Sequence, residues 1–75
     1  MQMQFIKKEW VGVKSGDLYD TQVISKKDAI SLIEKNGHSG HGEQLLEDLI
    51  QQWKADESVS LTYLIRSGLE VGIAS

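Results

Sequence analysis

No cysteine and no proline occur among the 75 residues. Without cysteine, the disulfides that often supplement a limited core in a small domain are excluded, which leaves good packing, a metal or a partner chain. Phosphate-binding spellings are missing too: there is no Gly-x-x-x-x-Gly-Lys-Ser/Thr and no Gly-x-Gly-x-x-Gly. The serines stand in no Gly-x-Ser-x-Gly elbow. No stretch approaches the ~18 apolar residues of a membrane span, and Met1 to Lys8 has no long apolar run after its charges, so it does not read as a signal peptide. Nucleotide hydrolysis, serine hydrolysis and membrane insertion therefore find no support in the residues.

What is present is the composition of a folded domain, 40% hydrophobic and 25% charged. The length suits one compact domain over residues 1–75 with little spare stability. A reducing, cytoplasmic location fits. Residues 1–42 hold six Lys/Arg and five Asp/Glu, net +1, whereas residues 43–75 hold two and six, net −4. The pairs Lys7-Lys8 and Lys26-Lys27 are too few for the clustered basic footprint of a nucleic-acid binder, so direct nucleic-acid contact is not expected.

The elements follow from periodicity. Gln4 to Lys14 carries Phe5, Ile6, Trp10, Val11 and Val13 and reads as a strand. Its alternation is broken, which predicts a bulge near Lys8 to Trp10 or an irregularity at Gly12. Lys14-Ser15-Gly16-Asp17 predicts a turn into a second strand, Leu18 to Ile24, with Tyr19, Thr21 and Val23 on one side. Ser25 stands at an N-cap position with Asp28 three residues on, so a helix is predicted over Lys26 to Lys35 that buries Ala29, Ile30, Leu32 and Ile33 and ends at Asn36-Gly37 in left-handed backbone. Leu45, Leu46, Leu49, Ile50 and Trp53 define the apolar stripe of a second helix, Gly42 to Ala55. Val59, Leu61, Tyr63 and Ile65 share one face of a third strand, Ser67-Gly68 turns the chain, and Leu69, Val71 and Ile73 mark the buried side of a fourth. The order ββααββ predicts an α+β domain: a four-stranded antiparallel sheet with both helices on one face.

Few residues are left for distinctive chemistry. His38 and His41, in the glycine-rich run Gly37 to Gly42, are weak metal candidates with only Asp17, Asp20 or Glu43 as convenient further ligands. Neither a cofactor nor an enzymatic activity is expected, since the carboxylates and histidines form no recognisable acid–base arrangement and so small a domain has little room for an enclosed pocket.

Interaction surfaces are the better prospect. Trp53 lies on the helical stripe and is assigned to the core. Trp10 and Leu64 are candidate exposed contacts, because the facing of Trp10 is undetermined and Leu64 falls on the polar parity of its strand. The acidic residues Glu43, Glu47, Asp48, Asp56 and Glu57 offer a second surface, suited to a basic surface on a larger protein. An uncovered sheet edge offers a third, through which another chain or a second copy could pair. The expected function is a non-catalytic protein-binding module, an inhibitor or adaptor. Motif-free domains of this length include accessory proteins of phages and mobile elements, an association of size alone. The alternative is a small metal- or nucleic-acid-responsive regulator using His38 and His41 or the scattered lysines.

Overall fold

The computed structural model describes residues 2–12 and 18–75. The expected turn at Lys14 to Asp17, and Val13 before it, lie outside the described residues. Six elements follow in the expected order: β1 (Gln4–Trp10), β2 (Tyr19–Ile24), α1 (Lys26–Lys35), α2 (Gly42–Ala55), β3 (Leu61–Arg66) and β4 (Leu69–Ala74). All strand pairs are antiparallel, and the sheet order is β2-β1-β4-β3. Two hairpins are thus joined side by side through β1 and β4, leaving β2 and β3 as edges.

The pairing register sorts the side chains by face. Ile24, Phe5, Ile73 and Leu61 stand in one row, and Gln22, Lys7, Val71 and Tyr63 in the next row on the same face. This is the helix side. Val71, Ile73, Leu69 and Ile65 are buried there with Ala29 and Ile33 of α1 and Leu46, Leu49, Ile50 and Trp53 of α2. At about 25 cal/mol per Å² of apolar surface removed from water, this cluster is the main source of stability. Leu69, Val71 and Ile73 lie in a central strand and are 3%, 0% and 0% exposed, which is why β4 is the most buried strand.

The helix ends follow from local chemistry. The Ser25 hydroxyl accepts a hydrogen bond from the Asp28 amide at 3.1 Å, satisfying one of the free donors of the first turn of α1. At the other end Asn36 has φ −114°, so the positive φ expected of Asn36-Gly37 is carried by Gly37 alone, at +127°. The Asn36 side-chain amide donates to the Leu32 carbonyl at 2.8 Å, which also accepts the Asn36 backbone amide at 3.2 Å, so both donors of Asn36 close the last turn. Within α1, Ala29 and Ile33 are buried as expected, but Ile30 and Leu32 are half-buried because they lie at the margin of the helix–sheet contact. The α2 stripe is placed as expected, with Leu46, Leu49, Ile50 and Trp53 buried and Leu45 half-buried against them.

Two expectations about the strands are corrected. The register of β1 with both neighbours runs unbroken from Phe5 to Glu9, so β1 contains no bulge. Its alternation looks broken because the strand faces two ways with apolar residues, Phe5 towards the helices and Ile6 and Trp10 away from them. Val11 already lies past the strand end, and Gly12 follows at φ +64°. The register shift belongs to β3, between Leu64 and Arg66. Val59 precedes β3 rather than opening it: its amide bonds to the Asp56 carbonyl at 3.3 Å in the turn after α2, and its side chain is exposed.

Candidate functional site

With both helices on one side, the other side of the sheet has no covering element among the described residues. The register places three rows across it: Val23, Ile6, Gly72 and Thr62; Thr21, Lys8, Glu70 and Leu64; then Tyr19 and Trp10 at the open end of the first hairpin. Ile6 is nevertheless buried, flanked in its row by Val23 and Thr62, with no side chain at Gly72 to hold it away. The large apolar residues around it are not buried. Trp10 is 48% exposed, Tyr19 40%, Val23 65% and Leu64 61%. They share the uncovered face, with Lys8 and Glu70 standing between Leu64 and β2, and large apolar residues sharing one uncovered face are candidates for contact.

The aromatic residues on this face are held in place. The Trp10 amide donates to the Gly68 carbonyl at 2.7 Å, tying the end of β1 to the β3–β4 turn. The indole lies against the backbone at Gly12 so closely that a Cβ added there would meet the ring at 3.1 Å and push it aside by a few tenths of an ångström, while the positive φ itself favours glycine. The Lys8 ammonium sits 4.9 Å from the centre of the Tyr19 ring, a cation–π contact that fixes the phenol beside Trp10. Across the sheet the Thr62 hydroxyl donates to the Glu70 carboxylate at 2.8 Å. A side chain ordered before contact loses less entropy on binding, which is why rigid aromatics make effective anchors. Val11 and Leu18, 49% and 54% exposed, pair just beyond Trp10 and Tyr19 at the end of the same hairpin, at register positions of the opposite parity.

Trp10 and Leu64 therefore share one surface. Tyr19 and Val23 belong to it as well and were not singled out from the sequence. Their signal was the shared side of Tyr19, Thr21 and Val23, but which side the helices cover depends on the strand order.

The acidic residues are elsewhere, on and after α2, and several are engaged within the chain. The Glu47 carboxylate pairs with Lys26 of α1 at 2.6 Å, and the Lys26 pKa is raised, first by the hydrogen bond to Glu47 and then by the charges of Glu47 and Glu43. Asp56 accepts hydrogen bonds from the Ser58 hydroxyl at 2.6 Å and the Ser58 amide at 3.1 Å; these, the hydroxyl first, lower its pKa. Glu57 also has a partner within the chain. Glu43 and Asp48 are exposed on α2. The electrostatics of this helix face are thus partly neutralised by α1, and Asp56 acts as a turn former.

The glycine-rich connection is anchored at both ends. The His38 amide donates to the Ile33 carbonyl at 3.2 Å and the His41 amide to the His38 carbonyl at 2.9 Å. The His38 ring packs edge-on against Tyr63, 5.7 Å between centres. Gly42 opens α2 where an added Cβ would lie 2.6 Å from the Ile30 carbonyl oxygen, so glycine there permits the close approach of the two helices. Among the described residues no group of three or more His, Cys, Asp or Glu side chains is gathered closely enough to hold a metal; Asp17 lies outside them.

One concavity stands out on the helix side, a groove of about 310 Å³ between α1 and the first hairpin, lined by Lys7, Gln22, Ile24, Ser31, Leu32 and Lys35 among others. Its volume reaches the lower range of ligand pockets despite the small size of the domain, but it is an open cleft and not an enclosed chamber. No described helix is long and apolar enough to cross a membrane. Comparison with family models, with curated proteins and with solved structures finds no match.

Proposed function

We propose that this chain is a non-catalytic protein-binding module, an inhibitor or adaptor that acts by occupying a surface of a larger protein. The reading rests on one observation: Trp10, Tyr19, Val23 and Leu64 are exposed together on the sheet face that the helices leave open. A domain with a small core gains stability from every apolar side chain it buries, so leaving four large ones in water is costly unless contact with another molecule covers them. Trp and Tyr are the residue types that dominate contact energies, and both are fixed in position here. Glu43 and Asp48 form a separate acidic region on α2 that favours approach to a basic partner, while the sheet face supplies the contact.

The test is capture of a partner from the native host, with identification by mass spectrometry, by four purified forms of the chain. Leu64→Lys and Trp10→Lys should each abolish capture without changing the far-ultraviolet circular dichroism, and the pair Glu43→Lys with Asp48→Lys should slow it but retain it. Loss of capture only on reversing the acidic pair would move the contact to α2. Binding of a single-stranded oligonucleotide that disappears in Trp10→Lys would replace the reading by base stacking on the open sheet.

A further inference from the structure

The two edges of the sheet are unlike. The outer strand β3 carries the register shift between Leu64 and Arg66, ends on a charged residue, and has the His38 ring packed against its Tyr63. Irregularity, charge and cover are the devices by which proteins keep an edge from pairing. β2 is less protected: it pairs with β1 without a register shift, contains no Lys, Arg or Pro, and carries a single charge, Asp20. Residues 19 to 23 of this strand are exposed.

The direction of the free backbone groups of β2 follows from one hydrogen bond. The Val11 amide donates to the Leu18 carbonyl at 2.9 Å, so Leu18 faces β1. Backbone groups alternate in direction along an antiparallel strand. Asp20, Gln22 and Ile24 therefore also face β1, and the amides and carbonyls of Tyr19, Thr21 and Val23 point away from the sheet.

The geometry points to a homodimer formed by antiparallel pairing of β2 with β2 of a second copy, centred on Thr21. A two-fold axis perpendicular to the sheet keeps each face on its own side, so opposed residues must have the same facing. Centring on Thr21 uses all three outward residues: Thr21 meets Thr21, and Tyr19 meets Val23 in both directions. Thr–Thr and aromatic–β-branched pairs are among the favourable cross-strand combinations. On the helix side the same register sets Asp20 opposite Gln22, whose amide already donates to Asp20 within one chain at 3.2 Å. Centring on Gln22 instead would set Asp20 against Ile24 and leave Tyr19 facing Ser25. The chemistry of the strand thus selects both the partner, a second copy, and the register.

The product is an eight-stranded sheet with four helices on one side. The other side is continuous, with a Trp10–Tyr19 pair in each half, so a partner engaged as proposed above meets two copies of the contact surface. Self-pairing does not depend on that reading. An edge contact this short buries less than the ~1,200 Å² of a standard interface, so the dimer is concentration-dependent.

Because the chain has no cysteine, single introduced thiols report the register directly. Hydrogen-bonded antiparallel partners have Cα atoms ~5.5 Å apart, inside the range a disulfide spans. The two Val23 residues would be four positions apart along the pairing, roughly 13 Å. Under mild oxidation Thr21→Cys should give covalent dimer, and Val23→Cys, Gln22→Cys and Leu64→Cys should not. The unmodified chain should pass from monomer to dimer mass as it is concentrated, and Thr21→Lys, which opposes two ammoniums across the axis, should abolish the change. A monomer mass at every concentration would overturn the proposal. So would equal cross-linking of all four thiols, or preferential cross-linking at Leu64 or Gln22.

Discussion

Replacing Gly72 by alanine should disconnect β3 from the sheet. Gly72 lies in central β4 opposite Thr62, and its φ is not in the left-handed region, so the cost of a side chain there is steric alone. The added Cβ would fall inside contact distance of the Leu61 carbonyl oxygen and 2.8 Å from both Cα and Cγ2 of Thr62. Ordinary contact begins at 3.4 Å, so the backbone of β3 must retreat by about 0.6 Å or more, a shift that no side-chain rotation can supply. That retreat would break the first rungs of the β3–β4 ladder and lift half-buried Leu61 from the core. Two backbone hydrogen bonds at about 1 kcal/mol each, with about 1 kcal/mol of lost apolar contact, give a destabilisation of roughly 2–4 kcal/mol. A core of this size supplies only ~3–5 kcal/mol in total, so much of the variant should be unfolded at room temperature. Urea titration followed by far-ultraviolet circular dichroism measures the loss. Gly40→Ala is the control: nothing lies within 4 Å of its Cβ position, and its φ of +81° should cost about 1 kcal/mol. If Gly72→Ala unfolds within about 0.5 kcal/mol of the parent, the close approach of β3 and β4 is wrong.

Other outcomes follow from particular side chains. The Trp53 indole N–H is buried and finds no hydrogen-bond partner among the described residues, so Trp53→Phe should cost only about 1 kcal/mol, because the lost contact is offset by removal of an unsatisfied donor; Trp53→Ala should cost about 3–5 kcal/mol. Equal losses in the two variants, measured by urea unfolding, would mean that the donor carries no penalty. Because the folded pKa of Asp56 is lowered by its bonds from Ser58, its contribution to stability is present above the ordinary carboxylate value of 3.8 and is lost as pH falls through the lower folded value. Ser58→Ala should weaken that acid dependence, as read from melting temperature against pH between about 2 and 5. An unchanged slope would remove the Asp56–Ser58 contact from the account.

Both helices were legible in the sequence because each advertises itself locally. Ser25 and Asp28 announce the start of α1, and the 3.6-residue spacing from Leu45 to Trp53 determines which face of α2 is buried. The second hairpin was equally readable from Leu61, Ile65, Leu69, Val71 and Ile73. The first hairpin was readable as two strands but its facing was not, because β1 carries apolar residues on both faces and a period-2 count cannot say which of Phe5 and Ile6 meets the helices. That information is non-local: it depends on β1 pairing with β4 across sixty to seventy positions of sequence, from Glu9–Leu69 to Gln4–Ala74. For the same reason Trp10 and Leu64 were separate candidates in the sequence, and only the strand order brings them, with Tyr19 and Val23, to one surface. The five acidic residues looked like one patch because sequence proximity hides the Lys26–Glu47 pair, whose partners are twenty-one positions apart.

The central claim is that the apolar residues of the open sheet face serve contact and not folding. Equilibrium unfolding in urea of the double variant Val23→Thr with Leu64→Thr, which places strand-compatible β-branched side chains at both positions, tests it most directly at low protein concentration. The account predicts a stability within about 1 kcal/mol of the parent, against a loss of about 2–5 kcal/mol for Leu46→Ala in the core. A loss in the double variant as large as that of Leu46→Ala would show that the exposed face is part of what holds the domain together.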